Sequence, residues 1–153
     1  GVVAVDVGYG QLAWQLRTDP RVSVHDRTNV RDLTPEQIGG PVELTVADLS
    51  FIPLTLVLPA LAACTTEDLL PMVKPQFEVG RERVGTKGVV RDPLLRAEAI
   101  RTVADRAYEL GLGTRGMTRS ALPGPAGNVE FFLWLRRDAP PVDPAEIARV
   151  VEL

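Results

Sequence analysis

Short apolar runs that stop at a charged or turn-forming residue alternate along this chain with stretches of helical spacing. Val2-Val3-Ala4-Val5 runs into Asp6, Val42-Glu43-Leu44-Thr45-Val46-Ala47 into Asp48, and residues 69–73 into Lys74, with a further short run at Val22-Ser23-Val24-His25. Runs of four to six mostly aliphatic residues bounded by such breaks predict buried strands. Gly8-Tyr9-Gly10 reads as a turn into a helix carrying Leu12, Trp14 and Leu16, and Thr34-Pro35-Glu36-Gln37 as a capped helix start. Residues 54–63 are apolar nearly all round, which predicts a helix buried against a sheet. Asp92-Pro93 opens a helix that places Leu94, Leu95, Ala99, Ile100, Val103, Ala107 and Leu110 on one side and is closed by Gly111 and Gly113. Strands at 113–118 and 129–136 follow, joined by a proline- and glycine-rich connection, and Asp143-Pro144 caps a short last helix with Ile147, Val150 and Val151. The alternation predicts an α/β fold with a doubly wound sheet ending in a strand pair. Trp14 and Trp134 are expected in or near the core, and His25 and Cys64 are read as structural.

A length of 153 residues with 45% hydrophobic composition suits one domain with one core. The formal charge of −3 gives the molecule a field that repels polyanions, so a nucleic acid needs a local basic patch. The segment 78–91 offers one, with Arg81, Arg83, Lys87 and Arg91 among three glycines. One cysteine and one histidine exclude an internal disulfide and leave no metal motif. The longest apolar stretch, 51–64, is broken by Pro53 and Pro59 and is too short to span a bilayer, so no membrane partner is expected and a cytoplasmic location is. The chain begins at Gly1 directly inside a strand-like run, which reads as a fragment of something longer.

In an open α/β sheet the strand ends form the active crevice. Asp48 and Lys74 leave two strands there, and Glu130 stands at the head of Phe131-Phe132-Leu133-Trp134-Leu135. An aspartate, a lysine and a glutamate converging on rigid strands make a proton-transfer site. A lysine acts as a base only if burial or a neighbouring cation lowers a pKa that is ordinarily about 10.4, whereas nearby carboxylates pull the other way. By residue type alone each position also has a bland reading: Asp48 as a helix cap, Lys74 as a strand end reaching for water, Glu130 as a solvated edge residue. The pair of glycines at Gly8 and Gly10 lacks the third that a dinucleotide fingerprint needs.

Six blocks together carry a more specific signal: 4–12 (AVDVGYGQL), Arg27-Thr28-Asn29, 47–52 (ADLSFI), 73–80 (VKPQFEVG), 88–93 (GVVRDP) and 124–130 (GPAGNVE). In this order the chain resembles the methyltransferase domain of TlyA-type, haemolysin-like proteins, which belong with the FtsJ/RrmJ ribose 2′-O-methyltransferases of RNA. The resemblance implies a Rossmann-like sheet, mostly parallel with an antiparallel strand near the carboxyl end, over residues 1–138, and a tail with a short helix over 139–153. It implies S-adenosylmethionine as cofactor, rRNA or a ribosomal subunit as partner, and the cytidine 2′-hydroxyl as methyl acceptor; a homodimer is left open.

The family's catalytic lysine, aspartate, lysine and glutamate resemble, in their last three members, Asp48, Lys74 and Glu130. Asp6, Val7, Gly8, Thr28, Asn29 and Asp48 are the implied cofactor contacts, with Asp6 placed for ribose hydroxyls. Arg81, Arg83, Lys87 and Arg91 are the expected RNA contacts. The first family lysine, the first strand with its glycine-rich loop, and an S4-type RNA-binding domain have no counterpart here. The absent strand would lie between those ending at Asp6 and Asp48, so a gap in the sheet is expected, and with it poor competence unless another segment fills it. A non-catalytic RNA- or protein-binding module is the alternative function. Membrane lysis is the weakest, for want of a long apolar or cationic amphipathic helix.

Overall fold

A computed structural model describes residues 1–153, with β1 Val2–Val5, α1 Trp14–Arg17, β2 Val22–His25, β3 Val42–Ala47 and α2 Leu54–Ala63 in the first half. Then come β4 Thr65–Val73, α3 Pro75–Glu78, α4 Pro93–Glu109, β5 Leu112–Arg119, β6 Phe131–Arg137 and α5 Pro144–Val150. The strands form two sheets. β1 pairs in parallel with β2, while the second sheet has the order β3-β4-β6-β5. There β3 is parallel to β4, and β6 runs antiparallel to both β4 and β5. A parallel arrangement with one reversed strand near the carboxyl end is what the family resemblance implies. The expected gap is present too, since no ladder hydrogen bond joins β1 or β2 to the second sheet.

Alternation along β6 builds the main core. Phe131, Leu133 and Leu135 are fully buried, whereas Phe132, Trp134 and Arg136 point the other way and are not. α4 packs on β5, β6, α2 and α5. From α2, the side chains of Leu54, Val57, Leu58 and Leu61 meet Ile100, Val103 and Leu69 in the same core. A second, small cluster of Leu33, Ala60 and Cys64, flanked by Val5 and Ile38, joins the first sheet to the back of α2.

Caps set the helix starts. The Asp92 carboxylate accepts the Leu94 N–H at 2.8 Å ahead of α4, and Asp143 accepts that of Ala145 at 2.9 Å ahead of α5. The start at Thr34 yields only a single turn of 3₁₀-helix, Pro35–Ile38: the Thr34 N–H donates to Gln37 Oε1 at 2.8 Å, but Gly39 at φ 82° ends the element at once.

Both tryptophan expectations fail. Trp14 is 74% exposed because α1 has only four residues and none of them is buried. Trp134 is 41% exposed on the outer face of β6, where its indole N–H donates to Asp68 Oδ1 at 2.7 Å. Leu94, expected on the apolar side of its helix, is exposed in the first turn of α4. No helix is long and apolar enough to cross a membrane.

Candidate active site

Strand register brings the three predicted side chains to one end of the second sheet. Val73 of β4 pairs with Phe131 of β6, so the next residues outward on the antiparallel pair are Lys74 and Glu130. Ala47 of β3 pairs with Pro71 of β4, and Asp48 leaves β3 toward the same end. Lys74 Nζ lies 2.5 Å from Asp48 Oδ1 and donates to Ser50 Oγ at 3.0 Å. The Lys74 side chain is only 10% exposed, whereas that of Asp48 is 70% exposed. The neighbours this structure supplies to the lysine are thus a carboxylate and a hydroxyl. Glu130 is buried, and its Oε2 accepts a hydrogen bond from Gln76 Nε2 at 2.9 Å.

The loop that carries Asp48 and Ser50 is tied to α3 a second time. Glu78 Oε1 accepts the Leu54 N–H at 2.9 Å, at the first turn of α2. Burial pushes the Glu78 carboxyl up to about 7, against the opposing pull of that backbone N–H. Between these ties the loop thrusts Phe51 outward, 88% exposed and at φ 65°, a conformation costly for a residue with a Cβ. Its ring lies 5.0 Å from that of Phe77, tilted by 55°. Phe51, Phe77, Gln76, Glu78, Arg81 and Lys87 are among the residues lining an open cavity of about 740 Å³.

Of the four predicted RNA-contacting cations, Arg81 and Lys87 line this cavity. Arg83 is held elsewhere, on Glu98 at 2.6 Å and on the Val79 carbonyl at 2.9 Å, and Arg91 is exposed without being part of the wall. The segment forms two 3₁₀ turns, Arg81–Arg83 and Thr86–Gly88. The buried Asn128 side chain clasps the second one: it accepts the Val90 N–H at 3.0 Å and donates to the carbonyls of Gly88 at 2.8 Å and Pro125 at 3.2 Å.

The predicted cofactor contacts gather on the first sheet. Asp6 Oδ1 accepts the Gly8 N–H, the Thr28 N–H donates to the Asp6 carbonyl and the Arg27 N–H to the Gly8 carbonyl, each at 2.9 Å, which stitches the loops after β1 and β2 together. Val7 stands out beside them, 73% exposed. The Thr28 hydroxyl donates to the Asp26 carbonyl at 3.0 Å and Asn29 Oδ1 accepts the Arg31 N–H at 3.0 Å, so these two side chains serve their own turns. Asp48 stands apart from the group, on the other sheet.

Ser50, Phe51, Gln76, Glu78 and Asn128 carry site contacts that the residue pattern does not reveal. All five lie inside the blocks that carry the family resemblance, which is the one signal pointing at them.

Stitched loops after two parallel strands and an Asp–Lys pair at the ends of two others are an arrangement a nucleotide-dependent transferase can use, and the FtsJ-like methyltransferase family model matches residues 1–137. The chain belongs to that family, and membership implies a methyl donor. Over 137 residues it is 64% identical to the 16S/23S rRNA (cytidine-2'-O)-methyltransferase TlyA of Mycobacterium tuberculosis, covering 88% of this chain and 51% of that protein. It is 32% identical over 134 residues to Hemolysin A of Brachyspira hyodysenteriae, covering 86% and 56%. A solved hemolysin-like protein from Streptococcus thermophilus superposes with a TM-score of 0.91 at 38% identity, over 98% of this chain and 56% of that one. The chain spans about half the length of the curated relatives it matches.

Proposed function

We propose that this chain carries the catalytic part of an S-adenosylmethionine-dependent enzyme that methylates the ribose 2′-hydroxyl of cytidine in rRNA. The observation that supports this most is the meeting of Asp48, Lys74 and Ser50, with Glu130 across the β4–β6 register, beside a cavity with an exposed aromatic ring and two free cations.

The residues present fit the nucleoside end of the cofactor. Asp6 spends Oδ1 on its own turn and keeps Oδ2 without a protein donor, ready to accept from ribose hydroxyls, and exposed Val7 offers an apolar surface to the adenine. When bound, S-adenosylmethionine supplies a methyl group already activated by a sulfonium. The chain's own residues then have to hold the ribose oxygen in line and take its proton as the O–CH₃ bond forms and the S–CH₃ bond breaks, the neutral thioether being the leaving group. Lys74, oriented by Asp48 and Ser50, holds the oxygen from one side while the Glu130 carboxylate accepts a hydrogen bond from the other. Phe51 gives an unstacked base a ring to lie on, and Arg81 and Lys87 take phosphates.

Methyl transfer to rRNA from labelled S-adenosylmethionine tests this, with the product mapped by resistance to alkaline cleavage, which a 2′-O-methyl group blocks. Label on a base instead of the ribose would overturn the assignment.

The split between the sheets favours a second reading, a binding module that has kept the fold without the chemistry. Calorimetric titration with S-adenosylmethionine separates the two, on this chain and on a version extended upstream. Binding by either form supports the enzyme, and binding by neither supports the module.

A further inference from the structure

Glu130 is gripped at one oxygen. Gln76 Nε2 donates to its Oε2 at 2.9 Å, and the backbone of Gly124 lies so close that an added Cβ would stand 2.5 Å from Oε2 and 2.9 Å from Oε1. Such a separation is far inside van der Waals contact, so any side chain at position 124 displaces the carboxylate. Glu130 Oε1 has no hydrogen-bond partner within the protein and is left for an incoming donor.

The Gln76 amide has no other task in the fold. Its one side-chain hydrogen bond goes to Glu130, while its own Oε1 is enclosed without a donor. A half-satisfied buried amide costs stability that an apolar side chain of similar size would not. The carboxylate also fixes which way round the amide sits, since a reversed amide would set oxygen against oxygen. Gln76 lines the cavity with Phe51 and Phe77 as well, so it stands between the space for the nucleotide and the buried glutamate.

We propose that Gln76 is a positioning residue for methyl transfer: with Gly124 behind it, it commits one Glu130 oxygen to the protein and aims the other at the ribose hydroxyl. The inference rests on the 2′-O-methyltransferase reading. It adds a division of labour between the two carboxylate oxygens and a residue that enforces it.

The test uses the full chain with any upstream segment its gene encodes. kcat, the KM for rRNA and the calorimetric affinity for S-adenosylmethionine are measured for Gln76→Leu, Gln76→Glu, Gly124→Ala, Glu130→Ala and the double variant Gln76→Leu/Glu130→Ala. Gln76→Leu and Gly124→Ala should lower kcat by roughly tenfold to a hundredfold while KM and cofactor affinity stay within about twofold. In the Glu130→Ala background Gln76→Leu should cost nothing more, because the group it orients is gone. Gln76→Glu, nearly isosteric and able to keep the fold, should recover activity relative to wild type as pH falls, because a proton shared by the two carboxyls restores the donor. Filling of space alone would give no such pH dependence. An active wild type with Gln76→Leu at full kcat, or losses that multiply in the double variant, overturns this inference and leaves the reading standing. A wild type that transfers no methyl group overturns the reading and this inference with it.

Discussion

Lys74 and Asp48 meet as an ion pair 2.5 Å apart although they leave different strands, and the pair is lopsided: the lysine is enclosed and the aspartate open to water. Enclosure fixes the amine in one place, as holding a reacting oxygen in line requires. The exposed partner is free to face a ligand approaching the sheet end.

Lys74→Met should therefore abolish methyl transfer, by about a hundredfold to ten-thousandfold, while S-adenosylmethionine still binds. Lys74→Arg should not rescue it, since a planar guanidinium cannot replace a compact amine held by Asp48 and Ser50. Thermal unfolding checks that the fold survives: Asp48 is solvated once its partner is gone, so the stability change should stay below about 1 kcal/mol. A Lys74→Met variant with normal kcat removes the lysine from the mechanism.

The four cations of the 81–91 segment divide into two kinds. Arg81→Ala and Lys87→Ala should each weaken RNA binding and flatten its salt dependence by roughly one unit of log–log slope. Arg83→Ala should leave the slope alone and cost up to about 1 kcal/mol of stability through the lost contacts to Glu98 and Val79. Binding isotherms at several salt concentrations distinguish the two groups, and equal slopes for all three variants would contradict the division.

Asn128→Ala removes three hydrogen bonds at once and leaves the buried Val90 N–H without an acceptor. A loss of about 2 to 4 kcal/mol in urea unfolding is expected. RNA affinity should fall as well, since the turn carrying Lys87 is no longer held against Pro125. A cost below about 1 kcal/mol would mean the clasp is dispensable.

Glu78 gives the fold a pH dependence of definite sign. Its carboxyl is raised from 4.5 to about 7 in the folded chain, so between these values the unfolded chain loses its proton first and stability falls as pH rises. Glu78→Gln keeps an oxygen for the Leu54 N–H and has no proton to lose. Its melting temperature should match that of wild type near pH 4 and pull ahead through pH 7, by the equivalent of about 2 to 3 kcal/mol. Parallel melting curves across that range would show that the buried carboxyl does not carry the effect.

Where a signal is local, the sequence alone is enough. The apolar run 54–63 becomes α2 with those bounds, and Asp92-Pro93 and Asp143-Pro144 start α4 and α5 as expected. Asp48, Lys74 and Glu130 reach one sheet end because each borders a strand, and strand ends are readable. The bond from Gln76 to Glu130 spans 54 positions and that from Asn128 to Val90 spans 38, so no periodicity announces either. Trp14 misleads for a physical reason: an apolar ring says that burial is favourable, not that a neighbour is there to provide it.

The loops proposed to hold the nucleoside stand on β1 and β2 and the proposed catalytic side chains at the ends of β3, β4 and β6, with no ladder between the two groups. What bridges them is packing on α2: the small cluster in which Leu33 meets Ala60 and Cys64, and Val30 lying against the main core. On the proposed function, the spacing between methyl donor and acceptor is set by this greasy joint on α2, where an added or missing methylene would shift one reactant against the other while each half stays intact.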